Sequence, residues 1–218
     1  MYVEFDLPAI PEPLTAVSNY WLRYYFVGSP SQNHQINALA STYMRLVEAA
    51  IVEYALGSAA LRQVWADQTS IGLRAMHRSI AHFESCLSDM HRAANAYRRL
   101  RRHKAKDPLS LCLAHQKPAF ATDAIAGQVR RMRDEIHHLE EMVVEGRIAE
   151  GQSIALRPDG PEVAHAIEEG QTVKTFDSLV IGVHRLTFQN IATWLEEMSS
   201  VAATIAQYEP KGSQLQVP

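Results

Sequence analysis

The stretch from Arg130 to His138 carries side chains that could cleave RNA without a metal ion. A histidine with a pKa near neutrality can take the proton of a ribose 2′-hydroxyl, and a second histidine can protonate the leaving oxygen. An arginine can stabilise the charge that builds on the phosphate. We therefore identify Arg133, Asp134, His137 and His138 as candidate catalytic residues, and we expect a 2′,3′-cyclic phosphate product.

The spacing of these residues places them on the polar side of a helix. The inward side of that helix carries three apolar residues: Met132, Ile136 and Leu139. Arg133 and His137 are four residues apart, as are Asp134 and His138, so each pair occupies neighbouring turns. Arg133 and His138 point about 140° apart on an ideal helix. They would converge only through a distortion or a second chain.

The segment Arg133-Asp134-Glu135-Ile136-His137-His138 resembles the R-x4-6-H motif of HEPN domains. The resemblance implies that Arg133 and His138 form the catalytic pair of the motif, brought together across a dimer interface. Asp134 stands where the family more often has asparagine. An anion at this position could hold the histidine but would repel a phosphate.

HEPN domains are helical bundles that carry the motif on a late helix. Many are homodimeric endoribonucleases, and many are toxins paired with a nucleotidyltransferase-type antitoxin. The resemblance therefore implies a homodimer, an RNA substrate and a partner of that antitoxin type or another protein partner. It implies no cofactor.

A second group of candidates for RNA binding is basic. Its members are Arg98, Arg99, Arg101, Arg102, Lys104 and Arg130, and all but the last lie close together near one helix end. These side chains could contact RNA phosphates, about 15–20 Å from the motif if the third and fourth helices are antiparallel neighbours. A cationic helix C terminus exposed to water is the simpler interpretation. Tyr97 is the only nearby aromatic for base stacking.

A metal site is an alternative interpretation of the same helix. Glu135 and His138 have the Glu-x-x-His spacing of di-iron bundles, which need two such pairs and two further glutamates. The second Glu-x-x-His, Glu162 and His165, falls in a β-leaning segment, and we assign no metal ligands. His77, His82, His91 and His115 lack ligand partners by spacing, so we expect surface or half-buried histidines.

The elements that position these residues are mostly helices. Apolar residues recur at alternating steps of three and four over four long segments, which predicts a four-helix bundle. We expect helices over 32–67, 69–104, 119–148 and 188–208, preceded by a short aromatic helix over 14–27. Thr122 or Asp123 is expected to cap the fourth helix, and Thr187 the last helix.

Residues 152–186 have a different pattern. Short β-leaning pieces alternate with turn residues such as Pro158-Asp159-Gly160, which predicts a small antiparallel meander of two to four strands. A meander this small must pack on the bundle.

Composition excludes several classes of protein. Of 218 residues, 47% are hydrophobic and 21% are charged, which is typical of a globular chain. The start of the sequence does not resemble a signal peptide, and no apolar run approaches the ~20 residues of a membrane span. The two cysteines favour a reducing compartment, so we expect a cytoplasmic protein.

We therefore expect an all-α fold of HEPN type with a small β insertion. Residues 1–30 would be an arm and short helix, 31–210 a single domain, and 211–218 a flexible tail. The expected function is that of a metal-independent endoribonuclease or of an RNA-binding toxin or defence component. The alternative is a non-catalytic protein-interaction module, which predicts an apolar patch on the meander or the first helix.

Overall fold

The computed structural model describes residues 1–10, 14–66, 72–104, 107–146 and 153–209. Within these ranges the chain forms six α-helices and two three-stranded β-sheets. The expectation of an all-α fold is therefore wrong: the protein has a mixed helix and sheet structure. The helices are α1 (Leu14–Phe26), α2 (His34–Arg62), α3 (Leu73–Arg101), α4 (Pro108–Ala114), α5 (Asp123–Val144) and α6 (Phe188–Gln207). The strands are β1 (Tyr2–Phe5), β2 (Ser153–Asp159), β3 (Glu162–Ala164), β4 (Thr172–Phe176), β5 (Ser178–Gly182) and β6 (His184–Thr187).

A long antiparallel hairpin of α2 and α3 forms the centre of the core. Each helix has 29 residues, which corresponds to about 43 Å. The buried ring of Phe83 on α3 packs directly on Gly57 of α2, where an added Cβ atom would lie 3.0 Å from the ring. The same ring lies 6.1 Å from that of Tyr54 and 5.1 Å from that of Phe188. Phe83 thus joins α2, α3 and α6, and Gly57 permits the close approach.

Helices α5 and α6 pack beside this hairpin, α5 against α3 and α6 against α2. Met132 of α5 is fully buried, as the alternating spacing predicts. The hydroxyl of Tyr43 on α2 donates a hydrogen bond of 2.9 Å to the Met198 carbonyl on α6. The backbone N–H of Phe120 donates to Glu197 at 3.0 Å, which ties the segment before α5 to α6.

Two predicted helix starts are confirmed. The Thr122 side chain accepts from the N–H of Ile125, and the Thr187 side chain accepts from the N–H of Asn190. Each hydroxyl satisfies a backbone donor that has no partner within its helix.

Helix α4 is a short helix that begins at Pro108 and is not among the helices expected from the sequence. The Asp107 carboxylate caps this helix by accepting from the N–H of Leu109 at 2.9 Å. Pro108 occupies the first turn, where its missing N–H costs nothing. With only seven residues, α4 is too short for a periodic pattern to reveal it.

The antiparallel sheet β2-β5-β6 packs against the helical core. Four of its side chains belong to the buried hydrophobic core: Leu156, Leu179, Ile181 and Leu186. The Gln128 side chain on α5 donates to the Arg185 carbonyl at 3.3 Å, and Glu135 on α5 lies 3.6 Å from His184. This sheet therefore supports α5, the helix that carries the candidate motif.

The second sheet, β1-β4-β3, departs from the prediction of one antiparallel meander. Strand β3 is antiparallel to β4, but β1 comes from the N-terminal arm and pairs with β4 in parallel. Tyr2 lies opposite Val173, and Phe5 lies opposite Phe176 with the ring centroids 5.7 Å apart. The arm is thus an integral strand.

Among the described residues, no helix is both long enough and apolar enough to cross a membrane. Cys86 is buried and Cys112 is exposed, and both are free thiols. The tail predicted at 211–218 lies outside the described residues.

Candidate nucleic-acid interface

A cleft of about 430 Å³ lies between the C-terminal half of α3 and the facing side of α5. His91, Asn95 and Arg98 occur on α3 at steps of four and three, so they share one helix face. Helix α5 runs antiparallel beside them. Its contribution to the lining is Asp123, Ala126, Gly127, Arg130, Arg133 and Asp134.

Arg98 fixes one end of the cleft. Its Nε donates to the Ala121 carbonyl at 3.0 Å, and its terminal nitrogen donates to Asp123 at 2.8 Å. These bonds join the end of α3 to the start of α5. Arg98 therefore has a structural role as well as a positive charge.

Asp134 lies between two arginines. Arg133 donates to one carboxylate oxygen at 2.9 Å, and Arg130 donates to the other at 3.2 Å. Burial alone would raise the pKa of Asp134, but the hydrogen bonds and charges of Arg133 and Arg130 hold it below its ordinary value. The Nε of Arg133 is buried and has no hydrogen-bond partner among the described residues.

His91 is half-buried in this cationic environment. Its Nε2 lies 2.9 Å from the side-chain nitrogen of Asn95, one helical turn away. Burial is the main cause that lowers the pKa of His91, and the charges of Arg133, Arg130 and Arg98 lower it further, against an opposing contribution from Asp134. His91 is consequently neutral over a wider range of pH than an ordinary histidine.

A second groove, of about 620 Å³, continues from the cleft toward α2. The two share Asn95 and Arg98. The rest of its lining is Gln35, Leu39, Arg99, Arg102, His103 and Lys104. The Gln35 side chain lies 3.2 Å from Nε2 of His103, so it bridges α2 and the end of α3. We call the cleft and this groove together the basic groove.

The basic groove differs in charge from the chain as a whole. Six arginine and lysine side chains line it, against two carboxylates, Asp123 and Asp134. The formal charge of the lining is therefore +4, whereas the whole chain has −3. A concave surface with this local excess attracts anions.

Most of the candidates named from the sequence line this surface, which brings Arg133, Asp134 and Arg130 together with Arg98, Arg99, Arg102 and Lys104. Arg101 does not line it. Its guanidinium lies 5.9 Å from the centroid of the Tyr97 ring, which is a stacking position.

His137 and His138 are not part of the described lining of the cleft. Both are exposed, and His138 bonds through Nδ1 to Glu141 at 3.0 Å. Asp134 bonds to the two arginines and not to His138. Within one chain, Arg133 and His138 therefore do not face a common cleft, in agreement with their angular separation on the helix.

The side chains of the di-iron alternative have other partners. Glu135 faces His184, Glu162 accepts from Thr172, and His165 accepts backbone N–H bonds. Among the described residues, no three histidine, cysteine, aspartate or glutamate side chains form a group that could hold a metal ion.

Two residues of the cleft, His91 and Asn95, were not recognised from the sequence. The only feature of the sequence that points to them is their spacing, which places them on the same helix face as Arg98. That face becomes informative only when α5 is known to pack against it.

No protein-family model, curated protein or solved structure matches this chain.

Proposed function

We propose that the protein binds RNA in the basic groove. The observation that supports this function is the unequal distribution of charge, with six basic side chains gathered along two adjoining concave surfaces. Guanidinium groups bind phosphate oxygens through paired N–H donors. A phosphodiester backbone would place successive phosphates along the groove.

Binding in this groove would depend on phosphate contacts more than on base stacking, because no phenylalanine, tyrosine or tryptophan is part of its described lining. For single strands, the logarithm of affinity falls with the logarithm of salt concentration by about 0.7 per phosphate contact. If four to six basic side chains make such contacts, the slope is about −3 to −4. Sequence preference would be weak.

The test is fluorescence anisotropy with a labelled random-sequence 20-nucleotide RNA pool at several salt concentrations. The variant Arg99→Gln/Arg102→Gln/Arg130→Gln removes three exposed charges of the groove. We expect affinity to fall about 10- to 100-fold and the salt slope to decrease by about 2. A DNA pool of the same length measures the contribution of the 2′-hydroxyl.

The matched control is Arg74→Gln/Arg78→Gln/Arg92→Gln, which removes three exposed charges of α3 outside the described lining of the groove. We expect it to change affinity less than threefold. If both triple variants lost the same RNA affinity, binding would depend on the net charge of the protein and not on the groove. Absence of binding by the wild type at low salt would overturn the proposal.

The resemblance to HEPN domains adds an endoribonuclease activity in which Arg133 of one copy and His138 of a second copy act together. The exposure of His138 leaves it accessible to a second copy. Light scattering tests the dimer, and His138→Ala tests the role of the histidine. Loss of RNA cleavage in that variant would support this arrangement.

A second candidate function is a protein-interaction module. The end of the first helix exposes a group of large apolar side chains: Leu22, Tyr25, Phe26 and Val27. An apolar group of this kind is what the module predicts. Absence of RNA binding by the wild type would favour this second candidate function.

A further inference from the structure

We propose that the cleft between α3 and α5 is a catalytic site for RNA in which His91 is the general base. The inference rests on the proposed function, because the substrate is RNA held in the basic groove. It assigns the acid–base role to a residue of α3 and places it outside the R-x4-6-H motif.

The first argument is the position of the imidazole. His91 lines the cleft together with three arginines, Arg98, Arg130 and Arg133. The cleft therefore contains an imidazole that can accept a proton and guanidinium groups that can bind a phosphate. Its volume of about 430 Å³ falls within the range of small-ligand sites.

The second argument is the orientation of His91. The side-chain nitrogen of Asn95 can only donate, so Nε2 of His91 accepts at 2.9 Å and carries a lone pair. The ring proton then resides on Nδ1. Asn95 thereby maintains the tautomer that a base requires and occupies the lone pair until a substrate hydroxyl replaces it.

The third argument is the state of Arg133. Asp134 binds one terminal nitrogen of this guanidinium at 2.9 Å, while the buried Nε has no partner among the described residues. An unsatisfied buried donor costs free energy. The Arg133 side chain as a whole is 36% exposed and lines the cleft, so its guanidinium is placed to bind the scissile phosphate.

The reaction needs no redox partner. Nε2 of His91 takes the proton of the ribose 2′-hydroxyl, and the 2′-oxygen attacks the adjacent phosphorus. The bond from phosphorus to the 5′-oxygen of the next nucleotide breaks, and that oxygen takes a proton from solvent. The products are a 2′,3′-cyclic phosphate and a 5′-hydroxyl, while the arginines stabilise the charge on the phosphate.

His138 lacks these features in a single chain. Its ring is exposed, is bonded to Glu141, and does not belong to the described lining of the cleft. A comparison of His91 with His138 therefore separates a site within one chain from a site shared between two copies.

The experiment measures cleavage of the random-sequence RNA pool in EDTA, together with binding of a fully 2′-O-methylated pool that cannot react. We expect His91→Ala and His91→Gln to reduce the cleavage rate about 100- to 10,000-fold and to change binding less than threefold. His77→Ala, at an exposed histidine of the same helix outside the described lining of the basic groove, should retain the wild-type rate. Glutamine preserves more of the volume of the histidine side chain, so His91→Gln remains informative if His91→Ala folds poorly. Thermal melting shows whether each variant is folded.

The pH profile provides an independent readout. The rate should rise with pH through the pKa of His91 and then level off, because only the neutral ring can act as base. The charged groups that face His91 are Arg98 on its own helix and Arg130, Arg133 and Asp134 on α5. Arginine is charged at every pH of such a profile, and the pKa of Asp134 is lowered by its two arginines, so the inflection belongs to His91.

Three outcomes would overturn the inference. One is cleavage that is lost in His138→Ala but kept in His91→Ala, and another is equal cleavage in all variants, which indicates a contaminant. The third is binding without cleavage by the wild type, which leaves the proposed RNA-binding function intact. Absence of binding would instead remove the proposed function.

Discussion

The cleft between α3 and α5 and the cluster around Asp159 contain the same charges. Each has three cations and two carboxylates: Arg98, Arg130 and Arg133 with Asp123 and Asp134 in the cleft, and Arg157, Lys174 and Arg185 with Asp159 and Asp177 in the cluster. Their surroundings differ. The cleft opens into a second basic groove, whereas the Asp159 cluster lies where the two sheets meet.

In the Asp159 cluster, Lys174 and Arg185 form hydrogen bonds with other residues of the chain. Lys174 donates to the Asp159 carboxylate at 2.8 Å and to the Gly160 carbonyl at 2.7 Å. Arg185 donates to Ser178 at 2.8 Å and to Asp159 at 3.4 Å. A Cβ atom at Gly160 would lie 1.9 Å from the Thr175 carbonyl, so only glycine fits this crowded turn.

The difference shows that a count of charges does not identify a binding site. In the cleft, Arg133 retains an unsatisfied donor and a titratable ring lies beside it. In the Asp159 cluster, the cations have partners that connect strands. We therefore assign binding to the first region and stability to the second.

The largest expected effect is on stability. Asp159→Ala should lower the free energy of unfolding by about 1–3 kcal/mol, because several cations would lose their shared carboxylate. Denaturant unfolding measures the change, with Glu209→Ala as the control at a carboxylate whose side chain is 79% exposed. RNA affinity should stay within twofold. A large loss of affinity in Asp159→Ala would contradict the division between the two regions.

The same residue makes stability depend on pH. Burial alone would raise the pKa of Asp159, but Lys174, the Gly160 N–H and Arg157 hold it below its ordinary value. A carboxylate with a lowered pKa stabilises the fold above its unfolded pKa of about 4, and that contribution is lost as pH falls through the folded pKa. Asp159→Asn should therefore reduce the loss of stability on acidification.

The next effect is on binding. Asp134→Asn removes a negative charge from the cleft, so RNA affinity should rise about three- to tenfold. Anisotropy measures it, with Glu141→Gln as an equal change of charge outside the described lining of the cleft. A fall in affinity would mean that Asp134 acts mainly by positioning Arg130 and Arg133. Since Asp134 raises the pKa of His91, this variant should also lower that pKa.

A smaller effect concerns protonation. RNA affinity should rise about two- to threefold as pH falls through the lowered pKa of His91, because the charged ring attracts phosphate. By linkage, bound RNA should raise that pKa, which NMR of the ring follows directly. His91→Gln should abolish this part of the pH dependence. If the pKa of His91 stayed the same on saturation with RNA, the phosphates would bind outside the cleft.

The smallest effect distinguishes neighbouring arginines. Arg102→Ala should weaken RNA binding about two- to fivefold, because Arg102 lines the groove. Arg101→Ala should change binding less than twofold, because its guanidinium stacks on Tyr97 outside the described lining. Reversed effects would mean that the surface which contacts RNA is not the groove.

The sequence predicted what depends on local patterns. Alternating apolar steps identified the four long helices, and hydroxyl residues identified the starts of α5 and α6. Residue type alone identified the arginines and Asp134. His91 was placed on the correct helix, but its place in the cleft depends on α5 packing against that face, which no local pattern encodes.

Long-range pairing could not be predicted in the same way. Strand β1 has only four residues, and its partner lies about 170 positions later in the chain. A short extended arm has no periodicity that specifies a parallel neighbour. The all-α expectation was wrong for this reason, and because a meander was treated as an insertion when its strands divide between two sheets.

The pairing of β1 with β4 also has a consequence for synthesis in the cell. At roughly 5–20 residues per second, the ribosome makes the partner on the order of ten to thirty seconds after β1. During that interval Tyr2 to Phe5 must remain unpaired while the α2–α3 hairpin, whose contacts are local, can already form. Although β1 leaves the ribosome well before its partner, it is therefore among the last elements to pair, and nascent chains stalled before Thr172 should expose it to protease.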